Sequence, residues 1–233
     1  SIVGDFDPEA TMGQLNSALG GWKTGSPWER VGRKGDIALK SKHEKINTPD
    51  KANAMYFAVS VFPMNDDAVE YPALLMGNYI LGGGALANRL GNRVRQKEGL
   101  SYGVRSGLSV GSLDDRTLFY IYAISNPDNV PKVVSAIHEE VELLLEKGVT
   151  EEELASAKKG WLQSQQVGRG NDSSLASTLA DTARTDRTMV HYAGLEQKIQ
   201  SVTGEQVQEA LKKRIDPKRI VIVTAGDFEK KAE

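Results

Sequence analysis

The stretch YILGGGALANRLGNRVRQKEGLSYGV, residues 79–104, joins two predicted helices and a strand through three consecutive glycines. Apolar side chains at helical spacing predict the first helix over 67–81, directly before the glycines. The second helix is predicted over 85–97, and a strand follows from about residue 101. The apolar stripe of the second helix consists of Leu86, Leu90 and Val94.

The glycine run first suggests a phosphate site. Gly82-x-Gly84-x-x-Ala87 fits the dinucleotide fingerprint G-x-G-x-x-G/A, but that fingerprint follows a strand, whereas this one follows a helix. No G-K-S/T sequence follows either, so a phosphate loop is excluded. Two interpretations stay open. The glycines end the helix because they tolerate positive φ, or Gly82, Gly83 and Gly84 form a bare backbone that an extended peptide can approach.

The order of the other predicted elements indicates an α+β fold with helices covering one face of a sheet. Strands are predicted over 36–43, 54–62, 101–110, 117–125 and 219–225. A helix is predicted over 130–147, and capping boxes open two more, Thr150 with Glu153 for a helix through about 166 and Thr203 with Gln206 for one ending near 214.

The composition describes a globular chain of 233 residues without cysteine, in which 29 basic residues face 31 acidic ones. A net charge of −2 provides no global field for nucleic acid or an anionic membrane. No apolar run approaches the ~20 residues that span a bilayer. The absence of cysteine excludes disulfides and thiolate zinc sites, and it is compatible with the bacterial periplasm and with the cytoplasm.

An approximate repeat suggests how the chain is divided. Residues 1–7, SIVGDFD, reappear in kind as IVTAGDFE at 222–229, and both resemble a short strand closed by a turn. We therefore expect 1–24 to be the final strand and helix of a preceding, homologous lobe. Residues 25–35 are expected to be a linker and 36–233 a second lobe, with Trp22 and Trp28 anchoring the junction.

Arg95 and Tyr102 are the candidate functional side chains of the opening stretch. Arg89, Arg93 and Lys97 share one row of the predicted helix, whereas Arg95 lies off that row. A guanidinium can grip a peptide carbonyl, and a phenol can donate to a developing oxyanion. The alternative is that Arg95 caps helical carbonyls and Tyr102 packs in the core.

The stretch resembles the second-lobe signature of the pitrilysin/insulinase family of zinc metallopeptidases, which includes the mitochondrial processing peptidases. The matching segments are Leu81-Gly82-Gly83-Gly84, Asn88-Arg89-Leu90 and the run from Arg95 to Tyr102, and the similarity covers about residues 36–228. The resemblance implies paired lobes around a cavity, each an antiparallel-dominated mixed sheet with helices on one face.

The same resemblance implies a division of labour between lobes. One lobe carries H-x-x-E-H with a distal Glu and holds zinc. The facing lobe supplies an Arg/Tyr pair, here Arg95 for the substrate backbone and Tyr102 for the scissile carbonyl. This chain has no H-x-x-E-H, so zinc is expected in another lobe of the parent chain or in a separate subunit, and this chain alone is expected to be inactive.

The remaining candidates have weaker patterns. His138 and Glu142 lie one helical turn apart but lack a third ligand, and His43 and His191 stand far from them in sequence. The carboxylate pairs at 66–67 and 114–115 occupy turn-like settings. Two functions stay open: a peptide-binding, non-catalytic lobe of a zinc metalloendopeptidase, or a catalytically dead peptide-binding or assembly subunit of the same fold.

Overall fold

The computed structural model describes residues 1–35, 40–84 and 87–229, and the side chain of Tyr102 also lies outside the description. The strands are β1 (Lys42–Asn47), β2 (Ala54–Phe62), β3 (Ser101–Val110), β4 (Thr117–Ser125) and β5 (Val221–Gly226). The helices are α1 (Pro8–Leu19), α2 (Tyr71–Asn78), α3 (Val130–Lys147), α4 (Glu151–Arg169), α5 (Asp172–Thr185), α6 (Met189–Ser201) and α7 (Gly204–Arg214). Two π-helical segments, Tyr79–Gly83 and Gly91–Lys97, flank the loop after the glycines.

The strands form one five-stranded sheet in the order β1-β5-β2-β4-β3. Only the pairing of β1 with β5 is parallel; β2 pairs antiparallel with both β5 and β4, and β4 with β3. A mixed, antiparallel-dominated sheet in an α+β fold is therefore confirmed. β3 and β1 are the two edge strands.

The hydrophobic core lies between the helices and one face of this sheet. On β2 and β4 every second residue is buried, as the two-residue period of a strand requires. These side chains pack with the buried stripes of α2, α3 and α7. The largest buried side chains of this layer include Tyr56, Phe119, Ile121, Leu74, Ile137, Leu144 and Leu211. Each contributes about 1.5–3 kcal/mol by leaving water.

Locally encoded elements match the sequence prediction. α3 has the predicted bounds, and both capping boxes are present: Glu153 Oε2 accepts from Thr150 N at 2.8 Å, and Gln206 Oε1 accepts from Thr203 N at 3.0 Å. Trp161, near the middle of α4, is buried and packs this helix against the core.

Other boundaries were predicted wrongly. The helix expected over 67–81 begins at Tyr71 because Pro72 favours the first turn, and it continues as a π-helical segment. The strand expected over 36–43 is β1, which starts at Lys42; residues 36–39 lie outside the description. The last strand begins at 221 because a 3₁₀ turn, Pro217–Arg219, precedes it. Residues 85 and 86 of the predicted second helix also lie outside the description.

The N-terminal segment forms a helix but no strand. Residues 1–7, predicted as a strand, form no strand, since a strand needs a neighbouring strand for its backbone groups and none of the described strands pairs with them. Asp7 caps α1, which ends before Gly20. The segment that follows, predicted to be a linker, is tied to the β3–β4 hairpin: Asp114 Oδ1 accepts from Arg33 N at 3.0 Å and from Arg30. In the described part of the chain, no helix is both long and apolar enough to cross a bilayer.

Candidate functional site

The three glycines lie where the first π-helical segment meets β3. Gly84 N donates to Tyr79 O at 2.8 Å and closes the segment. None of the three adopts a positive φ, so the prediction that they are needed for left-handed backbone is wrong. Their helix does end here, as the turn interpretation requires.

Glycine is required at these three positions because there is no space for a side chain, and not because the backbone conformation is unusual. A Cβ atom on Gly82 would lie 2.5 Å from Ser106 N, and one on Gly83 would lie 2.6 Å from Asn78 Nδ2. On Gly84 it would lie 2.9 Å from Tyr79 O. Gly82 and Gly84 are buried, and Gly83 is half-buried. The first π-helical segment therefore packs directly against the backbone of β3.

Asn88 fixes the loop that follows the glycines. Its Nδ2 donates to Gly84 O at 2.8 Å, and its Oδ1 accepts from Gly91 N at 2.7 Å. The side chain is buried, and an amide that bridges two backbone groups in a buried site holds them at a fixed separation. The end of the glycine run and the start of the second π-helical segment are thus held together.

Arg89 clamps the same loop to the α3–α4 turn. Its Nε and Nη2 each donate to a carboxylate oxygen of Glu153 at 2.7 Å, and Nη2 also reaches Gly148 O at 2.9 Å. The bonds from Arg89 lower the pKa of Glu153 against the opposing effect of burial. Arg93 is paired as well, with Glu98 and, at 2.9 Å, with Glu139. Arg89 and Arg93, which share one row of the predicted helix with Lys97, are therefore both bound to carboxylates.

Arg95 differs from both of them. It lies in the second π-helical segment, is exposed, and has no hydrogen-bond or ion-pair partner within residues 1–35, 40–84 and 87–229. Its neighbour Val94 is fully buried and anchors the segment. The structure thus gives no support to the interpretation that Arg95 caps helical carbonyls.

Residue 102 follows at the start of β3. Gly99, with φ of 62°, ends the second π-helical segment, and Leu100 N donates back to Val94 O at 2.9 Å. β3 then begins with an irregularity between Ser101 and Gly103, so the backbone of residue 102 lies at a bulge. The structure does not describe the side chain of Tyr102. The expectation that Tyr102 and Arg95 face one cleft therefore stays a prediction.

A cavity of about 780 Å³ lies on the Arg89 side of the second π-helical segment, between that segment and α3. Glu140, which lines it, has a pKa raised above the usual range because burial disfavours its charged form. Arg95 is not among the lining residues.

The other candidate residues have structural or solvent-facing positions. His138 and Glu142 are exposed on α3, and His43 Nε2 lies 3.3 Å from Thr224 Oγ1. In the part of the chain that the structure describes, no three His, Cys, Asp or Glu side chains are grouped to hold a metal ion.

The Asp66–Asp67 pair is engaged by Arg187, which donates to each at 2.8 Å. Burial alone would raise the pKa of Asp66, but the hydrogen bonds from Arg187 and Ser112 outweigh it and lower the pKa. Arg187 was missed from sequence, because no local pattern connects it to a partner 121 positions away. The pair is thus a structural ion-pair cluster joining the α5–α6 turn to the loop before α2.

Comparison with known proteins identifies the family. The chain matches the family described as Peptidase M16 inactive domain over residues 1–160. The protein named non-peptidase homolog YmxG, from Helicobacter pylori, is 26% identical over 177 residues, which cover 76% of this chain and 40% of that protein. A crystal structure of a peptidase M16 inactive domain from Pseudomonas fluorescens is 25% identical with a TM-score of 0.78, over 97% of this chain and 52% of that one.

A Helicobacter pylori protease structure has the same fold, with a TM-score of 0.80 at 15% identity over 96% of this chain and 54% of that one. The chain spans about half or less of the length of these relatives. The glycine turn, the clamped loop and the sheet therefore belong to a known kind of domain: this chain is a member of the Peptidase M16 inactive domain family.

Proposed function

We propose that this chain is the substrate-binding, non-catalytic lobe of a zinc metalloendopeptidase. Arg95 holds the peptide backbone, and Tyr102 donates a hydrogen bond to the scissile carbonyl as its oxygen gains charge. Zinc and the general base come from another lobe or subunit. The proposal is carried by one observation: Arg95 is exposed and unpaired among the described residues, while Arg89 and Arg93 are bound to carboxylates.

The surrounding geometry supports the proposal. Arg89 and Asn88 hold the loop on which Arg95 depends, so the guanidinium is presented from a fixed backbone. The glycines Gly82, Gly83 and Gly84 are proposed to form the wall that the peptide approaches. Gly83, which is half-exposed, is the position at which the peptide comes closest.

The partner in this proposal is a homologous, zinc-bearing lobe, with residues 1–24 as its last elements and 25–35 as the linker. α1 has no buried residue in this structure. Its apolar positions Met12, Leu15 and Leu19 are exposed, and Trp22 and Trp28 are 78% and 79% exposed. An amphipathic helix of this kind needs a second surface to cover its apolar stripe, and the preceding lobe is the surface that the chain order offers.

A second candidate function is a peptide-binding or assembly subunit that has lost the chemistry. It is favoured by the name of the Helicobacter pylori relative, a non-peptidase homolog. The two candidates differ in one measurable property, which is peptide hydrolysis when a zinc-bearing lobe is supplied.

Single substitutions test the proposed roles in the complex with that lobe. Tyr102→Phe is expected to lower kcat about 100-fold with little change in KM, because its hydrogen bond forms mainly in the transition state. Arg95→Gln is expected to weaken peptide binding about tenfold, whereas Lys97→Gln, an exposed neighbour, leaves it unchanged. An unchanged kcat in Tyr102→Phe removes its role. Binding by wild type without any turnover selects the second candidate.

A further inference from the structure

The face of the sheet opposite the core is apolar. On β2, β4 and β5 the residues between the buried positions point to this face, and all eleven are apolar or aromatic and partly exposed. We call these residues the open sheet face: Met55, Phe57, Val59, Val61, Leu118, Tyr120, Tyr122, Ile124, Val221, Val223 and Ala225. An antiparallel sheet with one solvated face normally has polar residues there.

The open sheet face is continuous across three strands. The register places Phe57 opposite both Tyr122 and Val223, and Val59 opposite both Tyr120 and Val221. The rings of Phe57 and Tyr120 are stacked, with centroids 6.1 Å apart and an angle of 18° between their planes. The result is a single apolar surface, not scattered side chains.

Its edges are mainly polar and its area is modest. Lys42 and Glu44 border it on β1, where Ile46 opposite Ala225 is an exposed apolar exception, and Arg105 and Ser109 border it on β3. Eleven partly exposed side chains present about 300–600 Å² of apolar surface, which is the size of a functional patch on a monomer. A stable dimer covers about 800 Å² on each partner, so a second copy of this chain is a poor match.

The open sheet face begins beside the proposed Tyr102 position. Along β3, Gly103 lies opposite Ile124, Arg105 opposite Tyr122 and Gly107 opposite Tyr120. Gly103 to Gly107 covers about 13 Å of strand, the length of about four extended peptide residues. At Gly103 a Cβ atom would meet nothing within 4 Å, which leaves room for a side chain over Ile124.

We propose that the open sheet face binds apolar side chains of the extended peptide and so gives the lobe a preference for hydrophobic substrates. This inference rests on the proposed function, because the peptide held at Arg95 continues over the adjoining sheet. Water leaves the strand surface and the peptide side chain together, which is the driving force.

The test compares two fluorescein-labelled nonapeptides of equal charge, one with leucine and one with serine at alternate positions, by fluorescence anisotropy. We expect the leucine peptide to bind this chain about tenfold more tightly. The double variant Val59→Thr/Val223→Thr, nearly isosteric and solvent-facing, is expected to lose most of that preference. Val167→Thr/Val190→Thr makes the same change at exposed helical sites and is expected to keep it.

The outcomes separate this inference from the proposed function. Equal binding of both peptides, or a leucine preference that survives in Val59→Thr/Val223→Thr, overturns the inference and leaves the Arg95 proposal standing. Arg95→Gln weakens both peptides equally if the proposed function is correct, and a null effect overturns that function alone. Binding of neither peptide overturns both. Sedimentation that shows a dimer dissociated by Val59→Thr/Val223→Thr assigns the face to a second copy and overturns the inference.

Discussion

The replacement of Gly82 by alanine tests whether the glycine turn is defined by close packing against β3. The added Cβ atom would lie 2.5 Å from Ser106 N, 2.8 Å from Ser106 Oγ and 2.9 Å from Leu90 Cδ1. The hydroxyl and the leucine methyl can move, but the backbone nitrogen is fixed in the sheet between β3 and β4. The first π-helical segment must therefore move away from β3.

The size of the effect follows from that movement. Carbon and nitrogen need about 3.5 Å of separation, so the two elements must part by about 1 Å at this point. Overpacking of a core site costs about 1–3 kcal/mol, with this rigid neighbour near the upper end. Alanine recovers about 1 kcal/mol of helix propensity over glycine. We expect a net loss of about 2 kcal/mol, which lowers Tm by about 4–8 °C for a chain of this size.

Calorimetric or circular dichroism melting measures the shift. Gly194→Ala is the matched control, because Gly194 lies inside α6 and a Cβ atom there meets nothing within 4 Å. It is expected to raise Tm by about 2 °C. If Gly82→Ala melts at or above the wild-type temperature, as Gly194→Ala does, the close-packing explanation of the glycine turn is refuted.

Two further substitutions probe the ion pairs of the fold. Arg89→Met removes three hydrogen bonds to Glu153 and Gly148, so the free energy of unfolding in guanidinium should fall by about 2 kcal/mol. An unfolding midpoint equal to that of the wild type would contradict the proposed stabilising role of Arg89. Burial alone would raise the pKa of Glu70, but Arg214 and Lys213 lower it to about 2 from 4.5, so its stabilisation is present above pH 4.5 and is lost as pH falls towards 2. Between pH 6 and 3 the free energy of unfolding should fall by about 1 kcal/mol more in the wild type than in Glu70→Gln, after a discount for solvent screening. Equal pH profiles for the two proteins would contradict the stabilising role of Glu70.

The sequence predicts best what nearby residues determine. The capping boxes of Thr150 and Thr203 were found because both partners lie within one helical turn. α3 was found because its apolar stripe repeats over 18 residues. The α+β class followed from the order of such elements.

Features that depend on distant residues could not be found in the same way. Positive φ was one interpretation of the glycines, whereas the structure shows a lack of space: Gly82 lies against Ser106 of β3, 24 positions later, and Gly83 and Gly84 lie against Asn78 and Tyr79. The π-helical segments carry no recognised sequence pattern. The sequence of β4 is almost wholly apolar and the strand lies inside the sheet, but the pattern does not tell whether a second layer covers its other face.

The spacing of Arg93 and Arg95 explains why Arg93 is paired with carboxylates and Arg95 has no partner among the described residues. Two residues cover about half a helical turn, so their side chains leave the second π-helical segment in opposite directions. Arg93 faces α3 through Glu139, and therefore Arg95 faces away from α3. The neighbouring carboxylates Glu139, Glu140 and Glu153 lie on the α3 and α4 side of the segment. The charge of Arg95 thus points away from these carboxylates. Since an exposed charge is screened by salt, the peptide binding that we propose for Arg95 should weaken as ionic strength rises.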